Sequence, residues 1–224
     1  DTGIFDQRIP PSENPPYALS EYLNRQSWKL RDSNWSPDFS ENAEKAQYFY
    51  HLGKGEGNFA GVIAINTDIL NSILSITGPV KIDDYPGIYN DQTAILQLEY
   101  QVEKGFYEQG IEKSDRKSIM KDLAEILIEK IHSFNLSEQL ELAKTMEKHL
   151  NQKDIQIYLE NEELQKEIEN IGWGGRVDGF DGDYLMAVDA NLNSLKSDHC
   201  IEREMKYEAD LSSDIPRAAL EITY

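Results

Sequence analysis

The sequence predicts a mixed α/β (α+β) fold in which helices cover a mixed β-sheet. Three observations predict it. Ala60-Gly61-Val62-Ile63-Ala64-Ile65 is an unbroken apolar run of the kind found in strands buried on both faces. Ile119, Leu123, Ile126, Leu127, Ile131 and Phe134 recur at helical spacing. Ile155-Gln156-Ile157-Tyr158-Leu159 alternates as a half-buried strand does. Strands separated by helices give a layered sheet-and-helix domain.

The elements follow in order. Residues 1–16 hold prolines at 10, 11, 15 and 16, which fix φ and remove donors, so this stretch is expected to be an extended arm. Tyr17 to Gln26 suits a short helix. In Trp28 to Phe39 three aromatics frame a polar run that Pro37 closes. Asp38 with Glu41 matches a capping box, and Ala43, Ala46, Gln47, Phe49 and Tyr50 continue that helix. Gly53-Lys54-Gly55-Glu56-Gly57 is a turn. A phosphate loop would need a strand before it and a helix after it, and the order here is the reverse.

The expected interior strand Ala60–Ile65 comes next. Asn66 or Thr67 caps a helix through Ile69, Leu70, Ile73 and Leu74, which Gly78-Pro79 stops. Val80-Lys81-Ile82 is expected to be a strand. Ser114 is the expected N-cap of the long helix to Phe134, with Asp115 on the favourable end of its dipole. Another helix spans Ser137 to about His149. After the strand at 155–159, a short acidic helix runs from Glu160 to Ile171 and ends at Gly172. Tyr184 to Val188 is read as a strand. His199 to Leu211 and Arg217 to Tyr224 are read as two more, joined by a Ser-Ser-Asp-Ile-Pro turn.

The whole of 1–224 is read as one domain, with no internal repeat and no linker. A chain of this length can bury about 70% of its unfolded surface, so it needs no staple. It begins at Asp1 rather than Met, so it is read as N-terminally truncated. With 41 acids against 22 bases the formal charge is −19, which argues against nucleic acid and polyanionic membranes as partners. The lone Cys200 cannot form an internal disulfide, which fits either a reducing compartment or the cysteine avoidance of many exported bacterial proteins. No stretch approaches the roughly 18 apolar residues of a membrane span.

Histidines at 51, 132, 149 and 199 have no partner at ligand spacing, and no Ser-His-Asp order or Gly-x-Ser-x-Gly elbow is legible. Asp178 to Asp183 is rich in oxygen ligands, but Leu192 stands where an EF-hand needs an acid, which favours a solvated turn. Asn34-Trp35-Ser36 and Asn135-Leu136-Ser137 match a glycosylation pattern by chance. The pairs Arg31-Asp32 and Asp115-Arg116 carry more chemistry. Arginine's planar fork reads phosphate, and a nearby carboxylate can hold a divalent cation. On spacing alone each pair reads first as a surface or capping ion pair.

Leu30-Arg31-Asp32-Ser33-Asn34-Trp35-Ser36-Pro37-Asp38-Phe39 resembles the bacterial domain of unknown function 4012 family. Gly61 to Asn66, Leu74 to Val80, Gly172 to Gly175, Val188 to Leu192 and Lys196-Ser197-Asp198 resemble further blocks of it, so the likeness is expected to run nearly to Tyr224. The resemblance implies an extracytoplasmic protein, anchored in the membrane through a removed N-terminal segment, with an upstream block absent here.

A more distant likeness is to the LytR-CpsA-Psr family, which moves a glycopolymer from a polyprenyl-pyrophosphate carrier onto the cell wall. It implies Arg31, Asp32 and Arg116 as catalytic residues. It also implies Arg31, Asn34, Asp115 and Arg116 as substrate-binding residues, and Asp32 as ligand to a divalent cation such as magnesium. The glutamine expected soon after Arg116 is missing. Two functions therefore stand open. One is transfer of a pyrophosphoryl-polyprenyl glycopolymer, with arginines and a metal acting electrostatically. The other is a non-catalytic surface module binding a glycan or a protein through aromatics such as Trp28, Trp35 and Trp173.

Overall fold

The computed structural model describes residues 2–192, 200–213 and 215–224. In chain order its helices are α1 (Thr2–Phe5), α2 (Tyr17–Tyr22), α3 (Phe39–Leu52), α4 (Asp68–Thr77), α5 (Ala94–Tyr100), α6 (Phe106–Glu108), α7 (Ser118–His132), α8 (Leu136–Gln152) and α9 (Glu162–Asn170). Its strands are β1 (Gly61–Ile65), β2 (Ile155–Leu159), β3 (Glu204–Asp210) and β4 (Arg217–Thr223). The fold is α+β. The strands do not form one mixed sheet, however: β1 pairs with β2, and β3 with β4, each pair antiparallel.

The chain divides into two compact units. One comprises Asp1–Ser33, Leu52–Lys54 and Gly179–Tyr224, the other Asn34–His51 and Gly55–Asp178. In the second unit the core gathers Leu74 of α4, Val80, Ile82, Tyr85 and Tyr89 of the following loop, Leu98 of α5, and Ile119, Leu123 and Leu127 of α7. The helical spacing read from the sequence is thus the buried face of α7. Asn135 and Glu138 form a full capping box at the start of α8. The helix ends also follow local chemistry: α4 stops at Gly78, whose φ of 74° favours glycine.

Several expected elements differ. Residues 1–16 are not wholly an extended arm: α1 and a 3₁₀ turn at Asp6–Arg8 occupy the start, because the Asp6 carboxylate is drawn inside by Arg31. Val80 and Ile82 are buried but form only a lone bridge, Val80 to Tyr89. Tyr184 to Val188 has no strand structure. The long helix starts at Ser118 rather than near Ser114, since residues 113–117 are turn. The hairpin β3–β4 covers most of the two C-terminal strands expected, while His199 and Asp214 lie outside the described residues.

The largest correction concerns β1. It is a strand, but not an interior one: Ile63 is 64% exposed and Ile65 67% exposed. A short continuous apolar run fits a central strand or a two-stranded ribbon equally well by pattern, and among the described residues β1 has only β2 beside it. Gly61 is required there. A Cβ on it would lie 2.1 Å from the Tyr158 carbonyl oxygen, so only glycine admits the ribbon's close backbone approach.

Candidate functional site

The two arginines expected to share a site fall in different compact units. Arg31 lies in a 3₁₀ turn, Leu30–Asp32, of the first unit. Its Nε donates to Asp6 Oδ2, and its backbone N–H donates to Asp6 Oδ1 at 3.4 Å. Lys29 Nζ donates to the Asp6 and Ile9 carbonyls at 2.9 Å, fixing the same turn. Asp32 faces Arg25 at 3.4 Å. Its carboxyl is raised above the ordinary value, because burial outweighs the attraction of Arg25 and Arg31. The charges acting on Asp32 are the guanidinium groups of Arg25 and Arg31 and, more weakly, the Asp6 carboxylate, a set in which positive charge dominates and which does not favour a divalent cation. Among the described residues no group of three His, Cys, Asp or Glu side chains gathers at metal-binding distance.

Arg116 belongs to the other unit, in the turn before α7 rather than in its first helical turn. It donates to Glu103 Oε2 at 3.3 Å and to the Val102 carbonyl at 3.4 Å. Asp115 has its carbonyl occupied by the Ser118 N–H and hydroxyl, and its side chain is exposed. Asn34 is exposed at the beginning of the same unit. The structure therefore keeps Arg31 beside Asp32 and Arg116 beside Asp115, and gives each arginine its own carboxylate.

Two features were not legible in the sequence. The first is a chain of hydrogen bonds in the second unit. Ser72 Oγ lies 2.8 Å from His149 Nε2, His149 Nδ1 lies 2.7 Å from Asp154 Oδ2, and Asn66 Nδ2 donates to Asp154 Oδ1 at 2.6 Å. The order is that of a nucleophile, base and orienting acid. Its setting is structural. Ser72 lies inside α4, where backbone N–H groups past the first turn are committed to the helix and offer no oxyanion site. His149 is only 4% exposed. The chain ties α8 to α4 and to both strands of the ribbon at one end.

The hydrogen bond from His149 is the main cause that holds Asp154 below the ordinary carboxylate value, with Asn66 adding to it. A depressed carboxyl contributes stability that is present above its unfolded value, about 4, and is lost as pH falls through the folded one. Melting midpoints of the parent should therefore fall on acidification through that window. Asp154→Asn should show a shallower fall between about pH 5 and pH 3. Parallel curves for the two proteins would count against this.

The second feature is a shallow groove of about 680 Å³, also within the second unit. The outward face of α3 supplies Glu44, Gln47, Tyr48 and His51 to it, the loop before β1 supplies Asn58 and Phe59, and β2 supplies Tyr158 with Glu160 just beyond. Helical spacing sets 44, 47, 48 and 51 on one face of α3. Phe59 is held edge-on to Tyr50 with ring centroids 5.0 Å apart. Gln47 Nε2 donates to Glu160 Oε1 at 2.7 Å, and the Tyr158 hydroxyl reaches Glu44 at 3.4 Å. Burial, then Glu160 and Glu44, push the Tyr158 hydroxyl above its ordinary value, so it stays a neutral donor. The tryptophans expected to bind lie elsewhere. Trp28 Nε1 donates to the Asp32 carbonyl at 2.8 Å, and Trp173 Nε1 to Asn151 at 3.0 Å. The groove residues lie in two stretches about 100 positions apart that only the β1–β2 register brings together.

No curated protein and no solved structure matches the chain. The profile of one family, described as protein of unknown function (DUF4012), matches residues 2–102. The match takes in the Arg31 turn, α3, β1 and α4, and ends before Gly172–Gly175 and Val188–Leu192, while Lys196-Ser197-Asp198 lies outside the described residues. The likeness to the DUF4012 family is thus supported over residues 2–102.

Proposed function

We propose that this chain is a non-catalytic module of the outer face of a bacterial envelope, and that it binds a glycan in the groove of α3, Phe59 and Tyr158. The observation that carries the reading is the lining. Aromatic rings stand beside two carboxylates and two amides, with no lysine or arginine among them. The apolar face of a sugar ring stacks on aromatic rings, and its hydroxyls donate to carboxylates and exchange hydrogen bonds with amides. A pyrophosphate would instead meet Glu44 and Glu160 and be repelled. Transfer of a polyprenyl-linked glycopolymer rests on the resemblance to LytR-CpsA-Psr enzymes. It needs at least two arginines on one anion, and Arg31 and Arg116 each already face a carboxylate.

Titration of a panel of neutral oligosaccharides, including the N-acetylglucosamine tetramer, tests the reading by calorimetry or NMR shifts. Binding is expected, and Tyr158→Ala or Phe59→Ala should weaken it at least tenfold, while Arg116→Gln leaves it unchanged. Absence of binding across the panel would defeat the proposal. So would tight binding of geranylgeranyl pyrophosphate that Arg116→Gln abolishes, a result that favours the transferase.

A further inference from the structure

The β1–β2 ribbon has one closed edge and one open edge. In an antiparallel pair alternate residues turn their backbone groups toward the partner and the rest turn them away. The Asn66 N–H donates to the Asp154 carbonyl at 3.0 Å, and the Glu160 N–H to the Ala60 carbonyl at 2.9 Å. With Val62 opposite Tyr158 and Ala64 opposite Gln156, the even-numbered residues of β1 face β2. Gly61, Ile63 and Ile65 therefore direct their N–H and C=O groups away from it.

The outer edge of β2 is covered. The Ile157 N–H donates to the Trp173 carbonyl at 3.0 Å, and the Leu159 N–H donates to Gln165 Oε1 at 2.8 Å. Among the described residues nothing does the same for Gly61, Ile63 and Ile65. Natural edge strands are protected by a lysine, a proline, a bulge or a covering segment. This one has none of these on the strand, and it exposes two isoleucines.

We propose that the open edge of β1 docks an extended strand of a partner polypeptide, apolar at alternate positions and basic at its ends. The unpaired backbone groups require an extended backbone beside them, as in strand addition to a sheet. Ile63 and Ile65, on the face shared with Ile155 and Ile157, require apolar side chains on the incoming strand. The ends require positive charge. Neither β1 nor β2 contains a lysine or arginine. Glu160 stands opposite Ala60 at one end of the ribbon, and Asp68 and Asp154 stand at the other. A second copy of this chain would bring the same carboxylates and a further −19 of charge to the same edge. Charge complementarity therefore selects a basic strand over self-pairing.

The probe is the labelled peptide Lys-Lys-Val-Thr-Val-Thr-Val-Lys-Lys, measured by fluorescence anisotropy at low and at physiological salt. Binding is expected, with affinity falling as salt rises. The same peptide with glutamates at its ends should bind at least tenfold more weakly. N-methylation at alternate residues should abolish binding in the register that faces the edge. The double variant Ile63→Thr, Ile65→Thr keeps strand-forming residues and neutral charge at exposed positions. It should melt as the parent does and lose at least tenfold in affinity. The proposal is overturned if the lysine-ended peptide fails to bind, if both N-methylated registers bind as the parent peptide does, or if the double variant binds unchanged. A dimer in sedimentation that the double variant dissociates would also overturn it, by giving the edge to a second copy.

Discussion

Replacing Arg31 with Ala is expected to lower stability by about 3–5 kcal/mol, the cost of leaving a buried carboxylate without its partner. Asp6 carries that carboxylate, with its side chain only 2% exposed. Both of its oxygens are served by Arg31, one by the guanidinium and one by the backbone N–H. The loss is asymmetric. Asp6→Ala frees an arginine that is partly in solvent and can rehydrate, so it should cost less. The double variant Arg31→Ala, Asp6→Ala should recover part of the Arg31 loss, because no charge is then left buried. Urea and thermal unfolding of the three variants measure this directly.

A substrate-binding arginine predicts the opposite behaviour: a fold that is unchanged and a ligand that is lost. Arg31→Ala with an unaltered melting midpoint would return Arg31 to a functional site. Arg116 provides the contrast. Glu103 is well exposed, so Arg116→Ala should cost no more than about 1 kcal/mol. The two arginines that sequence reasoning placed in one role are thus separated by the burial of their partners.

The same comparison shows which features are legible in a single sequence. Ile119, Leu123 and Leu127 are readable because the helical period alone puts them on one face. Ile155 to Leu159 is readable because alternation alone defines a strand. Capping chemistry is also local, so the starts and stops of α4 and α8 are close to expectation. Asp6 was not readable, because its partner lies 25 positions away and the prolines around it argue for an arm. The exposure of β1 was not readable either. Whether an apolar run is central or lateral depends on how many strands join it, and that is a property of the whole sheet. The groove and the Ser72, His149 and Asp154 chain fail for the same reason: their residues lie far apart along the chain. Long-range pairing creates both, and neither leaves a motif.

Leu123→Ala is expected to destabilise the protein by about 2–5 kcal/mol, through lost apolar burial and the cavity left behind. Leu123 is 3% exposed and belongs to the core cluster that joins α7 to α4, α5 and the loop from Val80 to Tyr89. That loop carries Val80, Ile82, Tyr85 and Tyr89 inward with one bridge, Val80 to Tyr89, and one turn hydrogen bond, from the Tyr85 N–H to the Ile82 carbonyl, to fix its backbone. Its order therefore rests on the side chains it packs against, and a cavity beneath it cannot be closed by a regular element. The loss should accordingly fall in the upper part of the range. Leu123→Met, which conserves volume, should cost less than about 1.5 kcal/mol. Ile128→Ala, on the same helix but 53% exposed, should stay within about 0.5 kcal/mol. At roughly 2–4 °C per kcal/mol for a chain of this size, Leu123→Ala should move the melting midpoint by on the order of 10 °C. Equal midpoints for Leu123→Ala and Ile128→Ala would mean that α7 does not present this face to the core.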